Sequence, residues 1–399
     1  MSKSYEYIII GAGIIGLTLA RELAQLKGGR ILVLEKEPHV GEHASGRNSG
    51  VVHAGIYYAN DSLKARFCAE GAKRLLRYCE ECQLPVLKCG KVIVATKPEN
   101  VPTLQTLLTR AQANGVEAKK ISLAELKELE PEAKSHGYAI WSPNTAVIDS
   151  KIVMQSLLED VQKRGVTVKF NEGITGIDMA RGTIKSATEH YNFGFMFNTA
   201  GAHADKIAHA FGVGLRYRIM PFKGLYWKAS AAYSKKIQRL IYPAPDIRMP
   251  FLGVHITRTV DGKVLFGPTA IPALGRENYK GLEGVQFSEA AKISWNLTKM
   301  LIRNPLGFRS YAGQEIARYF PKNFYEEART LVHHLQPQDI GEFYKVGIRA
   351  QLMDLQRGQL EMDFVVEKGP RSLHVLNAIS PAFTSAFAFA SYLTNESHK

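Results

Sequence analysis

Four cysteines in 399 residues are too few to build a fold on disulfides. Cys68, Cys79, Cys82 and Cys89 are expected to remain thiols in a reducing compartment. Cys79 and Cys82 form a C-x-x-C, but Glu80 and Glu81 lie between them on a predicted helix. The other ligands of a zinc site are missing, so no metal is expected. No stretch approaches the roughly 18 uncharged apolar residues of a membrane-spanning helix. The apolar start lacks the basic flank of a signal peptide, which leaves a cytoplasmic protein as the expectation. Acid is also scarce: 37 Asp and Glu face 51 Lys and Arg, a formal charge of +14. The cations are spread along the chain and no nucleic-acid-binding module is visible, so nucleic acid is set aside as a partner. A small anionic substrate, with a peripheral contact to an anionic membrane, fits that charge better.

What is present begins at once. Tyr7 to Ile10 is a short apolar run, followed by Gly11-Ala12-Gly13-Ile14-Ile15-Gly16 and a helix-forming stretch to Leu26. After a break at Gly28-Gly29, a second β-branched run from Ile31 to Leu34 ends in Glu35. This is the Gly-x-Gly-x-x-Gly fingerprint between strand and helix, with an acid about twenty residues on. Gly11 serves the tight turn, Gly13 the approach of a pyrophosphate, and Gly16 the packing of helix on strand. The helix start offers unpaired N–H groups and a positive dipole end to the phosphates. Glu35 can accept the ribose hydroxyls of a dinucleotide. Beyond it lies a segment dense in small residues, GEHASGRNSGVVHAG from Gly41 to Gly55, suited to close backbone approach to a ligand.

Gly11 to Gly16, Glu35 and the SGRNSGVVHAGIYY run from Ser45 to Tyr58 resemble a flavoprotein superfamily. Its members include D-amino-acid oxidase, glycine oxidase and glycerol-3-phosphate dehydrogenase, and the closest likeness is to its L-2-hydroxyglutarate dehydrogenase (oxidase) family. The resemblance implies FAD, carried by Gly11, Gly13, Ile14, Ile15, Gly16, Glu35 and Lys36 at the dinucleotide end. It implies Ser45, Arg47, Asn48, Ser49 and Gly50 along the flavin loop, Val168 at the adenine, and Ala200 and Gly201 against the pyrophosphate. Near the C-terminus Asn377, Ser380, Thr384 and Ser385 resemble the family's pattern, and Pro381 at the first turn of the last helix leaves its N–H groups free to meet the flavin ring.

The expected fold is α/β, with a Rossmann-like FAD-binding domain threaded through a second α+β substrate domain that carries an antiparallel sheet. Residues 1–87, 143–214 and 340–399 are assigned to the first domain, and 88–142 and 215–339 to the second. Asp61 is expected to cap a helix, and Ser122 with Glu125 to form a capping box. Strands are predicted at Leu215 to Ile219 and Gly224 to Lys228. Helices are predicted at Phe287 to Leu301, Tyr311 to Phe320 and Glu326 to Leu335. Val346 to Met353 reads as a strand returning to the cofactor domain.

Three residues are candidates for the chemistry. Arg349 matches an arginine that forks onto the substrate carboxylate in the glycine-oxidase-like branch, and a guanidinium keeps its charge in a dry cleft. His255, in GVHITR, can take the proton of a substrate hydroxyl while hydride leaves the adjacent carbon. His53 competes for that role, and could equally tune the flavin or tether it covalently. Tyr57, Lys223, Tyr242, Thr257 and Gln351 are further candidates for holding the substrate. The expected reaction is FAD-dependent oxidation of an L-2-hydroxy acid, L-2-hydroxyglutarate to 2-oxoglutarate, with electrons passing to quinone or oxygen. The alternatives are an amine or amino-acid oxidase of the same fold, and a cofactor-binding protein that acts by interaction alone.

Overall fold

The computed structural model describes residues 3–26, 29–248 and 251–397, so Gly28 of the expected break lies outside the described residues. The first sheet grows from the fully buried runs of the fingerprint. Strand Lys3–Ile10 lies parallel to Ile31–Leu34 on one side and to His190–Asn198 on the other. Such runs need cover on both faces, and they have it. Helices Ile14–Leu26, Ser150–Lys163 and Ala382–Glu396 bury one face, while Ala204, Ala208 and Phe211 close the other. Thr167–Lys169 extends the parallel sheet at Ile31–Leu34, and Ser372–Asn377 pairs with the end of His190–Asn198.

The second sheet has ten strands, and its spine is one antiparallel ladder. Strand Tyr217–Ala229 pairs with Ile340–Asp354 along nearly its whole length, with Phe222 opposite Arg349 and Gly224 opposite Gly347. Two expectations are corrected here. The strands foreseen at 215–219 and 224–228 are one strand, continuous through Pro221 and Phe222. Residues 340–354 belong to this second sheet rather than to the cofactor domain, since their backbone groups are used by Tyr217–Ala229. An apolar pattern identifies a strand but not its partner. Strands Lys91–Val94, Lys119–Ile121 and Ala139–Ser142 join the same sheet, as a second-domain assignment of 88–142 requires.

Helix ends show why the boundaries moved. Ser62, not Asp61, caps helix Leu63–Glu81, its hydroxyl accepting from the Ala65 N–H. Asp363 accepts from the N–H groups of Leu63 (2.7 Å) and Lys64 (3.0 Å), an anion at a helix start supplied from a distant segment. The Ser122–Glu125 capping box forms as expected. The helix foreseen at 326–335 instead runs Pro321–Ala328, with proline in its first turn. Among the described residues no helix is long and apolar enough to cross a membrane.

One buried ionic knot ties the two sheets together. Asp205, at the start of the helix after His190–Asn198, receives two guanidinium N–H groups of Arg276, one at 2.9 Å, and the Ile219 N–H at 3.0 Å. Arg276 also pairs with Glu289 and donates to the Ala202 carbonyl. Burial opposes charge on Asp205, yet its guanidinium partner holds the carboxyl below its ordinary range. Removing one partner leaves the other charged and dry. Arg276→Ala is therefore expected to cost about 3–5 kcal/mol in urea unfolding, and the paired change Asp205→Leu with Arg276→Met to recover most of it. Equal stability of Arg276→Ala and the parent would show that the knot contributes nothing.

Candidate active site

A cavity of about 980 Å³ opens where the C-terminal ends of the first sheet's strands meet the ladder of the second. Its dinucleotide end is the fingerprint, and the backbone explains each glycine. Gly11 adopts a φ of +98°, and a Cβ there would lie 2.8 Å from the Thr199 carbonyl oxygen. A Cβ on Gly16 would lie 2.0 Å from the Gly11 carbonyl oxygen, so no side chain fits. Gly11, Gly13, Ile14, Ile15, Glu35, Lys36, Ser45, Arg47, Asn48, Ser49, Ala200 and Gly201 line the cavity. Gly16 and Gly50 do not: they shape the turns beneath it, Gly50 with a φ of +76° against the Ile148 carbonyl. Glu35 already accepts from the N–H groups of Ala12 (2.8 Å) and Glu37 (3.1 Å), which aims its carboxylate along the cavity wall. The Ile14 N–H at the helix start is not open as the fingerprint suggested. It donates to the Ser45 hydroxyl at 2.9 Å.

Val168 is corrected. It lies on the strand opposite Val33 and packs into the core, while Glu172 to Ile177 form that end of the cavity. Lys36 is ion-paired with Glu277 at 2.7 Å and with Glu37, and lies 2.9 Å from the His43 Nε2. Glu37, His43 and Glu277 are close enough together to hold a metal ion, but the cation among them is the Lys36 ammonium. His203 bonds the same Glu277 at 2.7 Å, and Arg47 stacks over Tyr279, so residues 276–279 form a strap across this end.

At the other end the ladder presents Arg349, and strand His255–Arg258 presents His255. One Arg349 N–H donates to the Thr269 carbonyl at 2.9 Å and the guanidinium lies over the Phe251 ring at 5.3 Å. No carboxylate bonds it among the described residues. His255 bonds the Gly253 carbonyl through Nδ1 at 2.9 Å and stacks on Tyr242 at 3.9 Å between centroids. A carbonyl only accepts, so Nδ1 carries the proton and Nε2 keeps a lone pair. Burial, with the charges of Arg349 and Lys91, pushes the His255 imidazole down to about 3. His53 is pushed down to about 3 as well, by burial and then by Lys91 and His255, and its Nδ1 has no partner. Both imidazoles are thus neutral acceptors near pH 7.

Tyr57, Tyr242, Ser380, Pro381 and Thr384 also line the cavity, Thr384 accepting the His53 N–H at 3.1 Å. Four other candidates do not. Lys223 alternates with Gly224 and Tyr226, which face the cavity, and so points away. Gln351 and Thr257 share faces with Arg349 and His255 but lie two residues further on, roughly 7 Å past the cavity. The Gln351 amide donates instead to the Glu361 carbonyl. Asn377 is a buried cross-link, accepting from Leu352 at 3.1 Å and donating to the carbonyl of Asp363.

Sequence reasoning missed several residues. Tyr226 and Phe251 line the cavity, and the strand alternation that excludes Lys223 would have found Tyr226. Lys91 had no such signal. It opens a strand and looks exposed, yet it is 1% accessible, with its ammonium over the rings of Tyr57 (4.5 Å) and Tyr242 (5.0 Å). Burial lowers it to about 7. Cys68, whose thiol donates to the His53 carbonyl at 3.3 Å, is pushed up to about 12 by the same burial.

The comparisons with known proteins show the family and the fold. The model of a family described as FAD dependent oxidoreductase matches residues 6–396. An L-2-hydroxyglutarate dehydrogenase of Indibacter alkaliphilus is 37% identical, covering 96% of this chain and 96% of that protein. The mitochondrial L-2-hydroxyglutarate dehydrogenase of Homo sapiens is 34% identical, over 99% of this chain and 89% of its own. Among solved structures, L-alpha-glycerophosphate oxidase from Mycoplasma pneumoniae with FAD bound superposes with a TM-score of 0.76 at 20% identity, covering 100% of this chain and 95% of that one. Glycine oxidase from Geobacillus kaustophilus gives 0.71 at 14% identity, with coverage of 100% and 95%. These two share the fold.

Lys91 yields a test of the site's electrostatics. Its folded value near 7 lies below its ordinary 10.5. Between these values the unfolded chain binds a proton that the native protein does not. The burial penalty is therefore full below pH 7 and fades as pH rises. Lys91→Met is expected to stabilise the protein at pH 7. That advantage should shrink by up to about 1.4 kcal/mol per pH unit from pH 7 to 9 in urea unfolding. Parallel pH profiles for the two proteins would show that Lys91 is not desolvated.

Proposed function

Because the chain belongs to the FAD-dependent oxidoreductase family, among the relatives of L-2-hydroxyglutarate dehydrogenase, we propose that it oxidises L-2-hydroxyglutarate to 2-oxoglutarate. The observation that carries this reading is a guanidinium without a carboxylate partner sharing one cavity with neutral imidazoles. The residues fit FAD: glycines 11 and 16 leave no room for a Cβ, and the cavity runs unbroken from Glu35 to Ser380. Gly11 to Ile15, Glu35, Ser45 and Ala200 would hold the dinucleotide, and Ser49, His53 and the start of the last helix would hold the ring. Bound FAD supplies the two-electron acceptor for the hydride that leaves the substrate's hydroxyl-bearing carbon.

The protein's own groups do the rest. Arg349, braced by Thr269 and Phe251, has N–H groups left to fork onto the carboxylate beside that carbon. His255 takes the hydroxyl proton on Nε2, because Nδ1–H is committed to Gly253. Burial keeps its imidazole neutral, with the Nε2 lone pair unprotonated, throughout the physiological range. His53, whose Nδ1 has no hydrogen-bond partner, is the alternative acceptor. Arg349, which no carboxylate bonds among the described residues, supplies the positive charge that suits an anionic substrate. Electrons then pass to quinone or oxygen, from a cytoplasmic enzyme able to touch an anionic membrane.

Anaerobic mixing with a panel of 2-hydroxy and 2-amino acids, read by flavin bleaching, tests the substrate. L-2-hydroxyglutarate should bleach the flavin fastest, and faster reduction by an amino acid would make this an amine oxidase. Arg349→Met should weaken 2-oxoglutarate binding roughly 10- to 100-fold, with a smaller change in the reduction rate. His255→Ala should slow anaerobic reduction by about 100-fold or more while 2-oxoglutarate still binds. Reduction of His255→Ala at the parental rate would pass the role of base to His53.

A further inference from the structure

Half of the exposed large apolar side chains among the described residues fall in one segment, between Leu282 and Phe320. Its core is helix Phe287–Arg303, whose inner face buries Ile293, Asn296 and Met300. Its outer stripe reads Lys292, Trp295, Lys299, Ile302, at spacings of three and four residues that keep one face of a helix in line. Trp295 is 61% and Ile302 68% exposed, and Lys299 lies over the Trp295 ring at 5.0 Å. Arg309, at the start of the following helix, donates to the carbonyls of Leu301 and Ile302 and fixes the turn between the two helices. Within that turn Leu306 is half exposed and also lines the active-site cavity, as do Ile247 and Arg248.

We propose that the outer stripe of Phe287–Arg303 docks on an anionic lipid surface and so brings the mouth of the active-site cavity, at Leu306, against that surface. With Trp295 and Ile302 exposed beside lysines on the solvent face, the ring and branch can enter the acyl boundary while the long lysine side chains carry their ammonium groups up to the phosphates. A second copy of the chain is the poorer occupant. Two such stripes face to face would set Lys292, Lys299 and Arg303 against their own kind. The acids nearest along the helix are spoken for, Glu289 pairing with Arg276 and Lys206. The position of Leu306 adds a functional reason. A lipid-borne electron acceptor would meet the cavity without crossing water. This deepens the proposed function, resting on its acceptor rather than on its substrate.

Holoenzyme is sedimented at low salt with phosphatidylcholine vesicles, with or without phosphatidylglycerol. The parent should partition onto the anionic vesicles and be released by salt. Lys292→Glu with Lys299→Glu should lower that partition at least about tenfold, and Trp295→Ser with Ile302→Ser by a similar factor. Both variants should keep their flavin and their anaerobic reduction by L-2-hydroxyglutarate, and lose turnover only with a quinone carried in the vesicles. A parent that stays in the supernatant, or variants that sediment like the parent, would overturn the docking. So would a dimer in solution that Trp295→Ser with Ile302→Ser dissociates, since the face would then belong to a second copy. If no acid reduces any of the proteins, the substrate reading falls, and the partition alone decides the docking.

Discussion

The ladder between Tyr217–Ala229 and Ile340–Asp354 is the constraint on which the rest depends. At one end Tyr217, Ile219 and Leu352 are buried in the core that also holds Ile8, Ile10 and Met196 of the cofactor sheet. At the other, Ala229 and Ile340 pack with Val92, Ile256 and Phe324 of the substrate domain. A single pair of strands therefore runs as a beam through both cores. Arg349 projects from its middle, where the beam passes the cavity. Its position relative to the fingerprint is fixed by backbone hydrogen bonds rather than by a flexible linker, which keeps its guanidinium aligned with the dinucleotide end of the cavity.

The cofactor half was legible from the sequence because its requirements are local. A turn that excludes side chains must be glycine, and its strand, helix and acid follow within thirty residues. The small-residue loop from Ser45 to Ser49 and the last helix were legible for the same reason, through close approach. The substrate half depends on pairing, and pairing is not local. Val346 to Met353 showed a strand with nothing to show that Tyr217–Ala229 would be its partner, so the segment was assigned to the wrong domain. Lys223, Thr257 and Gln351 had suitable chemistry, but whether a strand residue reaches a cavity depends on which face is inward and where the strand passes the opening. Lys91 could not be found at all, since a lysine at the head of a short strand carries the same local signal whether it ends in solvent or under two tyrosines.

The shortage of acid noted in the composition is unevenly felt. Where acid is present it goes to joints: Asp205 and Glu289 hold Arg276, Glu277 joins Lys36 and His203, and Asp363 anchors the start of Leu63–Glu81. Among the described residues no acid bonds His255, His53, Arg349 or Lys91, and both histidines and Lys91 are buried. The two conditions act together. Burial alone would disfavour a proton on either imidazole, and the neighbouring cations disfavour it further, while those cations offset the desolvation cost of an anionic guest.

Cys68 shares that environment, with a different result. Its thiol donates to the His53 backbone carbonyl at 3.3 Å, in the layer behind the site. Attack on peroxide requires the thiolate, and a sulfhydryl held at about 12 supplies almost none at neutral pH. The desolvation that keeps the histidines neutral thus also keeps the adjacent sulfur protonated and poorly nucleophilic.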